Sequence, residues 1–443
     1  MTKSRLAPWL SASRWPTAPI RLVARLGSGH TPSRSKSEYW ENCTVPWITL
    51  ADVWQLRDGR TNVITETKEM VSPLGLANSA AVKHPAGTVI LSRTASVGFS
   101  ALMGRDMATS QDFATWTCGP KLEPRYLLHA LRGMAPDLTR VATGSTHKTI
   151  YMPEIEQLRV PLPSLEEQRR IADFLDAETS RLDNLAFARN RQLELLKERF
   201  LALVLDTVRG ATEPGPRKAS GLGWLGTVPS SWPITPVNYG FEVLLGKMLN
   251  QERVNGAHLA QYLRNTNVQW DRITTDELLL MDFPPEEQAR YSLNPGDLLV
   301  CEGGEPGRAA IWDGRISEMY YQKALHRVRA RSLASSSRWL FYCLRAATAR
   351  KVFAVEGNTT TIAHLTGEQL RAHRFPFPDR EVQDRATDKL DADSRSQKQL
   401  EGLLSRQLSI LSERRQALIT AAVTGQFDVS TASGRNVTEG VSA

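Results

Sequence analysis

The stretch "VPLPSLEEQRRIADFLD" at residues 160–176 places two prolines directly before a helix start, and "RFPFPDREVQDRATDKLD" at residues 374–391 repeats the design. Proline fixes its own backbone and excludes helix from the residue before it, so each stretch reads as an extended exit followed by a new element. In the first copy Ser164 and Glu167 form an S-x-x-E capping box. In the second, Asp379 is a good cap, but Val382 stands where the reciprocal Glu would be. A junction written twice asks whether the whole chain is written twice.

It is. Laying Pro161 on Pro376, an offset of 215, holds register without a gap to Gly210 and Gly425, with 20 of 50 aligned positions identical. Among the identities are Gln168 with Gln383 and Asp176 with Asp391. Weaker echoes precede the junctions: "GTVILSRTASVG" (87–98) with "GDLLVCEGGEPG" (296–307), and "RYLLHALR" (125–132) with "RWLFYCLR" (338–345). Each half is therefore a globular block, a proline junction and a long segment, and self-similarity on this scale outranks any local motif. The expected organisation is block 1 at 1–163, segment A at 164–209, a Gly/Pro-rich linker at 210–223, block 2 at 224–378, segment B at 379–425 and a disordered tail at 426–443.

Neither segment contains proline, so each is expected to be one helix of about 46 residues and about 70 Å. Their leucines keep a seven-residue phase at Leu175, Leu182, Leu196 and Leu203 in A, and at Leu390, Leu404, Leu411 and Leu418 in B, with one polar interruption each, Arg189 and Gln397. A second stripe runs through Leu185 and Leu193, and through Leu400 and Leu408. A narrow apolar seam on a charged helix needs a partner, and pairing A with B as a two-stranded coiled coil supplies one. Gly402 is a soft spot in B. The blocks read as short strands and turns with one or two helices, which makes the fold α+β: two similar α/β domains joined by two long helices.

Composition places the chain among ordinary globular proteins. Its four cysteines lack C-x-x-C spacing, and no apolar run reaches membrane length, so a reducing cytoplasm is the expected location. The net charge of +8 is uneven: +7 in 1–163 and +3 in 210–378, with the long segments near neutral. Basic blocks suit phosphate-rich partners. Catalytic signatures are missing. "GFEVLLGKM" (240–248) has the wrong spacing for a phosphate-binding loop, "NPGD" (294–297) lacks the aromatic of an amino-methyltransferase motif, and the histidines show no metal-ligand spacing. A carboxylate set from Asp58, Glu66 and Lys68 can be drawn, but chance produces such spacings.

The two junctions, "RQLELLKERFLALVLDTVRG" (191–210), "SGHTPSRSKSEYW" (28–40) with "VPWI" (45–48), and the repeated second half resemble the specificity subunit of type I restriction–modification enzymes from about Trp15 to about Val429. The resemblance implies two target recognition domains, each reading one half of a bipartite double-stranded DNA site. It also implies spacer helices that pair as an antiparallel coiled coil and set the gap near one DNA turn, about 34 Å. The chain itself is then non-catalytic and binds no cofactor; S-adenosylmethionine, ATP and Mg belong to two modification subunits and to restriction/translocase subunits. The rival class is a coiled-coil adaptor without sequence-specific DNA binding.

Candidate DNA contacts fall on the basic and hydroxyl-rich loops: Arg34, Lys36, Arg93, Thr146, His147 and Lys148 in block 1, and Arg264, Lys323, Asn358, Thr359 and Thr360 in block 2. The run "QKALHRVRAR" (322–331) alternates Arg327, Arg329 and Arg331 with apolar residues, as a strand with one charged face would.

Overall fold

A computed structural model describes residues 8–142, 148–248, 256–355 and 364–430. The chain divides into two compact units, one of residues 1–190 with 404–443 and one of residues 191–403. Each unit thus contains one block, part of one long helix and the opposite part of the other.

In the first unit a five-stranded sheet runs in the order Ala24–Ser28, Phe113–Cys118, Val89–Ser92, Ser100–Met103, Val63–Ile64, with only the last pair parallel. A second sheet places Val45–Ile48 between Glu69–Val71 and Ala108–Thr109, the latter parallel to it. The second unit follows the same plan. Its larger sheet orders Phe241–Leu245, Leu325–Ala330, Leu298–Cys301 and Ala309–Ile311, all antiparallel. Its smaller sheet places Leu259–Leu263 between Leu279–Asp282 and Tyr320–Tyr321, the latter again parallel. The glycines that align in the sequence repeat share a conformation, Gly98 at φ +94° and Gly307 at φ +89°, a backbone region that L side chains rarely adopt.

One helix in each unit is buried nearly all round: Pro124–Gly133 hides Tyr126 through Leu131, and Ser337–Ala349 hides Trp339 through Leu344. Burial on every side means that each is covered both by its sheet and by a second layer. The long helices are that second layer. They span Leu165–Val208 and Arg380–Thr424 without a break. In the first unit the core joins Leu175 and Leu182 of the first helix with Leu418, Ile419, Ala422 and Val423 of the second, and Arg415 lies 2.9 Å from Asp183. In the second unit Phe200, Val204 and Val208 share a core with Leu390. Early residues of one helix accompany late residues of the other in each unit, so the helices run antiparallel.

Of the seven-residue seam, Leu175, Leu182, Leu390 and Leu418 are buried, while Leu196, Leu203, Leu404 and Leu411 are half-buried. The second stripe departs from expectation at Leu185 and Leu400, which are exposed. One partner helix can cover only one narrow stripe. Of the tail, Phe427 meets Phe174 edge to face at 5.6 Å and Val429 is buried. Residues 431–443 lie outside the described residues.

The proline junction explains itself in atoms. Thr17–Pro19 pairs with Arg159–Pro161, and Ile234–Pro236 with Arg374–Pro376, so the exit strand of each block closes on its entry strand. The carbonyl of the first junction proline accepts from the buried helix, Pro161 from the Tyr126 hydroxyl at 3.0 Å and Pro376 from the Trp339 indole at 2.8 Å. The glutamine of the junction is wholly enclosed. Gln168 accepts from the Glu123 amide at 2.9 Å and donates to the Lys121 and Pro163 carbonyls at 3.0 Å each. Gln383 accepts from the Ser336 amide at 3.2 Å and donates to the Ala334 and Pro378 carbonyls at 3.2 and 2.7 Å. Of the expected capping box only half forms: Ser164 accepts from the Glu167 amide at 3.2 Å.

Candidate nucleic-acid interface

In each block, described loops that carry several of the residues predicted from sequence lie side by side. In the first unit the end of Val89–Ser92 leads into Arg93, whose amide donates to Asp112 and whose carbonyl accepts from Ile150. Ala95 donates to the Lys148 carbonyl, so Arg93 and Lys148 stand on neighbouring extended segments. Thr94 and Ser110 both hydrogen-bond the Asp112 carboxylate, and Thr31 donates to Gln111 at 2.6 Å. This network joins the loop after Ala24–Ser28, which carries Arg34 and Lys36, to the edge that carries Arg93 and Lys148. Strands distant in sequence are required to assemble it.

The electrostatic state of these side chains differs. Arg34 stacks 3.8 Å over Trp40 and pairs with Glu69 at 2.5 Å, which presents its guanidinium in one geometry. The Lys36 ammonium donates to the Tyr39 hydroxyl at 3.3 Å, a bond that raises its pKa. Lys148 is exposed. Arg93 is half-buried, and its Nε has no hydrogen-bond partner among the described residues. Buried donors of that kind are satisfied from outside the fold or at a cost. Thr146 and His147 lie outside the described residues.

The second unit builds the same edge with other chemistry. Glu302 donates its amide to Ala324, and its carbonyl accepts from Leu365, the hydrogen-bond positions that Arg93 holds in the first unit. Lys323 is exposed on the neighbouring turn, its amide bonded to the Lys247 carbonyl. Asn265 donates to the Gly303 carbonyl at 2.8 Å, which brings the turn of Arg264 to this edge. Arg264 spends one guanidinium nitrogen on the Glu277 carbonyl at 3.3 Å and leaves its Nε buried without a partner among the described residues. Asn358, Thr359 and Thr360 lie outside the described residues.

Two residues escaped the sequence reading and one strand was misjudged. Glu302 occupies the place of Arg93, so an acceptor in one unit replaces a donor in the other; the aligned repeat contained that signal. Asn265 is the second, and its position follows only from the fold. Of the alternating arginines of 322–331 only Arg331 is exposed, and the other two are engaged by internal acceptors. Arg327 is buried and bonds Glu242 at 3.0 Å and the carbonyls of Arg290 and Ser292, and Arg329 makes two 2.6 Å bonds to the buried Asp297. Leu325–Ala330 is an inner strand with neighbours on both sides, so its charges turn to internal acceptors.

Among the described residues no group of three or more His, Cys, Asp or Glu could hold a metal ion, and no helix is long and apolar enough to cross a membrane. Residues 13–195 match the family model described as the type I restriction modification DNA specificity domain. The specificity subunit of the Escherichia coli type I enzyme EcoR124I/EcoR124II is 26% identical over 181 residues, 40% of this chain and 44% of that protein. The MjaIX specificity subunit of Methanocaldococcus jannaschii is 27% identical over 191 residues, 43% of this chain and 42% of that protein. The matched span is thus less than half the length of these curated relatives. Among solved structures, a chain from a study of complex assembly and conformational transition of the type I R-M system superposes with a TM-score of 0.68 at 17% identity, over 93% of this chain and 98% of that one. The HsdS subunit from Thermoanaerobacter tengcongensis gives a TM-score of 0.51 at 17% identity, over 93% and 97%. At these identities the superpositions speak for the fold.

Proposed function

We propose that this chain, whose residues 13–195 match the type I restriction modification DNA specificity domain, is the non-catalytic specificity subunit through which a type I restriction–modification complex reads a bipartite DNA sequence. The observation that carries the reading is the duplicated edge. Two blocks of one plan, each carrying the same proline junction to its long helix, present different side chains at one equivalent place, Arg93 in one and Glu302 in the other, with Lys148 on the segment beside the first and Arg264 and Lys323 on turns beside the second. Arginine suits the O6 and N7 acceptors of guanine, and glutamate accepts from the amino group of cytosine. Different chemistry on one scaffold suits two unlike half-sites.

In this reading Arg34, Lys36, Arg93 and Lys148 serve one half-site, together with Thr146 and His147. Arg264 and Lys323 serve the other with Asn358, Thr359 and Thr360. The partners are double-stranded DNA, two modification subunits and restriction/translocase subunits. Methyl transfer, ATP use and Mg binding belong to those partners, in the cytoplasm. Exposed apolar side chains on the long helices support a docking role for them: Leu185, Phe187 and Ile410 in the first unit, and Leu195, Leu400 and Leu403 in the second. Pairing of the two long helices through the heptad leucines Leu175, Leu182, Leu196 and Leu203 with Leu390, Leu404, Leu411 and Leu418 belongs to the same reading.

Methylome sequencing of cells with and without the gene tests the proposal. The expected result is one bipartite motif that disappears with the gene and whose one half alone degrades on Arg93→Ala. An unchanged motif set would refute it.

A further inference from the structure

Each block is attached to its long helix at two points, and the second has no part in the proline junction. Eight residues after Gln168, about two turns and 12 Å along the helix, the Asp176 carboxylate gathers three side chains from two other elements, the buried helix and a loop. His129 Nε2 lies 2.8 Å from it, Arg125 donates at 3.1 Å, and Asn62 donates from a separate loop at 3.2 Å. Eight residues after Gln383, Asp391 does the same: Arg338 donates at 2.8 and 2.5 Å, and the Tyr342 hydroxyl donates at 2.5 Å. Arg338 also binds Asp271 from a loop, and Asp271 returns to the long helix through Lys398 at 3.0 Å. Arg125 and Arg338 are the first residues of the repeated octets, and His129 and Tyr342 the fifth.

The chemistry is costly for a contact that only adds stability. Burial works to raise the Asp176 carboxyl, and the bonds from His129 and Arg125 outweigh it and hold the group below its ordinary range. For Arg338 too burial opposes the charge, and the bonds to Asp271 and Asp391 more than offset it. An apolar pair would hold two surfaces together as well or better, whereas a hydrogen-bonded ion pair fixes direction and register. A single attachment at the glutamine leaves the block free to swivel about the junction; a second, two turns on, removes that freedom.

We propose that Asp176 and Asp391 are positioning residues that fix the rotation of each reading block on its helix and thereby restrict the complex to one gap between half-sites. The proposal rests on the specificity-subunit reading. Loosening either clamp leaves the reading edges intact, so the bases recognised stay the same while the permitted gap broadens.

The test uses the full chain assembled with its modification subunits. Methylation is measured on duplexes that carry the native half-sites with the native gap and with one base pair more or less. Asp391→Asn removes the charge and leaves a neutral acceptor, Tyr342→Phe removes one bond, neither changes shape, and Asp391→Leu removes the clamp entirely. With loss of one charge-assisted bond at stake, the preference for the native gap should fall about tenfold in the first two variants. Asp391→Glu should recover part of it. If Asp391→Leu does not fold, Asn and Phe still decide. Unchanged gap preference in folded variants overturns the proposal, and so does loss of methylation at every gap, which would assign the clamp to recognition itself. If the unaltered complex methylates no bipartite site, the functional reading fails instead.

Discussion

Replacing Gln168 by methionine keeps the volume and flexibility of the side chain and removes its one acceptor and two donors. Three backbone groups then lose their partner: the Glu123 amide and the carbonyls of Lys121 and Pro163. Lys121 is exposed, so water replaces the glutamine there. Pro163 is buried and Glu123 half-buried, and an orphaned buried polar group costs about 1–3 kcal/mol. The expected loss is therefore about 3 kcal/mol. For a unit of about 230 residues this corresponds to a fall in melting temperature of roughly 6–12 °C. Gln168→Glu sharpens the test. Its carboxylate still accepts from Glu123 but cannot donate to two carbonyls, and it brings a charge into a site with no exposure. At pH 7 the glutamate variant must therefore be the less stable of the two. Urea unfolding followed by tryptophan fluorescence ranks the three proteins. Hydrogen exchange adds a local readout, since the Glu123 amide should lose protection first. A methionine variant within 1 kcal/mol of the parent, or a glutamate variant milder than methionine, would refute the view that this side chain holds the junction to the block.

Two further perturbations test other parts of the account. Gly402 lies inside the second long helix with nothing near the position a Cβ would take, so Gly402→Ala should stabilise the chain by about 1 kcal/mol, measured as a higher urea midpoint at constant slope. His373 packs against Phe353 and Phe375, and burial pushes its pKa down from 6.5 to about 4. The unfolded chain takes up that proton first, so the stability it carries is complete above pH 6.5, falls as pH drops, and levels off near 4. The full difference is roughly 3 kcal/mol. His84, His129 and His326 are lowered by burial as well and steepen the same window. His373→Phe should flatten the fall between pH 6.5 and 4 in melts recorded across that range; a profile superimposed on that of the parent would discount the buried imidazole.

The duplication, the helices and the sheet-and-helix character of the blocks were legible because they rest on periodicity and on identity at a fixed offset. The partners of polar residues were not. Gln168 and Gln383 stood out as identities, yet their role depends on the start of a helix some 45 residues earlier in the chain. Arg327 and Arg329 looked like one charged face because alternation reports a strand's two sides and not what covers them. Only the sheet order, with Leu325–Ala330 between two neighbours, turns those charges inward. The heptads showed that the helices need a partner but not which stripe the partner covers, hence the exposure of Leu185 and Leu400. At the candidate interface, Arg93 and Lys148 were chosen separately and meet because one segment crosses beside the other.

The distribution of identity between the halves follows from what each part must do. On the proposed reading, a recognition edge gains from divergence, since a donor such as Arg93 and an acceptor such as Glu302 at one backbone position would suit different base edges. A junction cannot diverge in that way. Its glutamine satisfies backbone groups, which are the same whatever side chains surround them, and its aspartate meets an arginine at a fixed place on a buried helix. Changing either alone strands a buried partner, so the polar interior is held constant by the cost of unmade hydrogen bonds and not by any gain in net stability. The variation tolerated within the clamp obeys the same logic. His129 and Tyr342 differ in shape and acidity, yet both offer the one hydrogen-bond donor that Asp176 and Asp391 need from that turn of the helix.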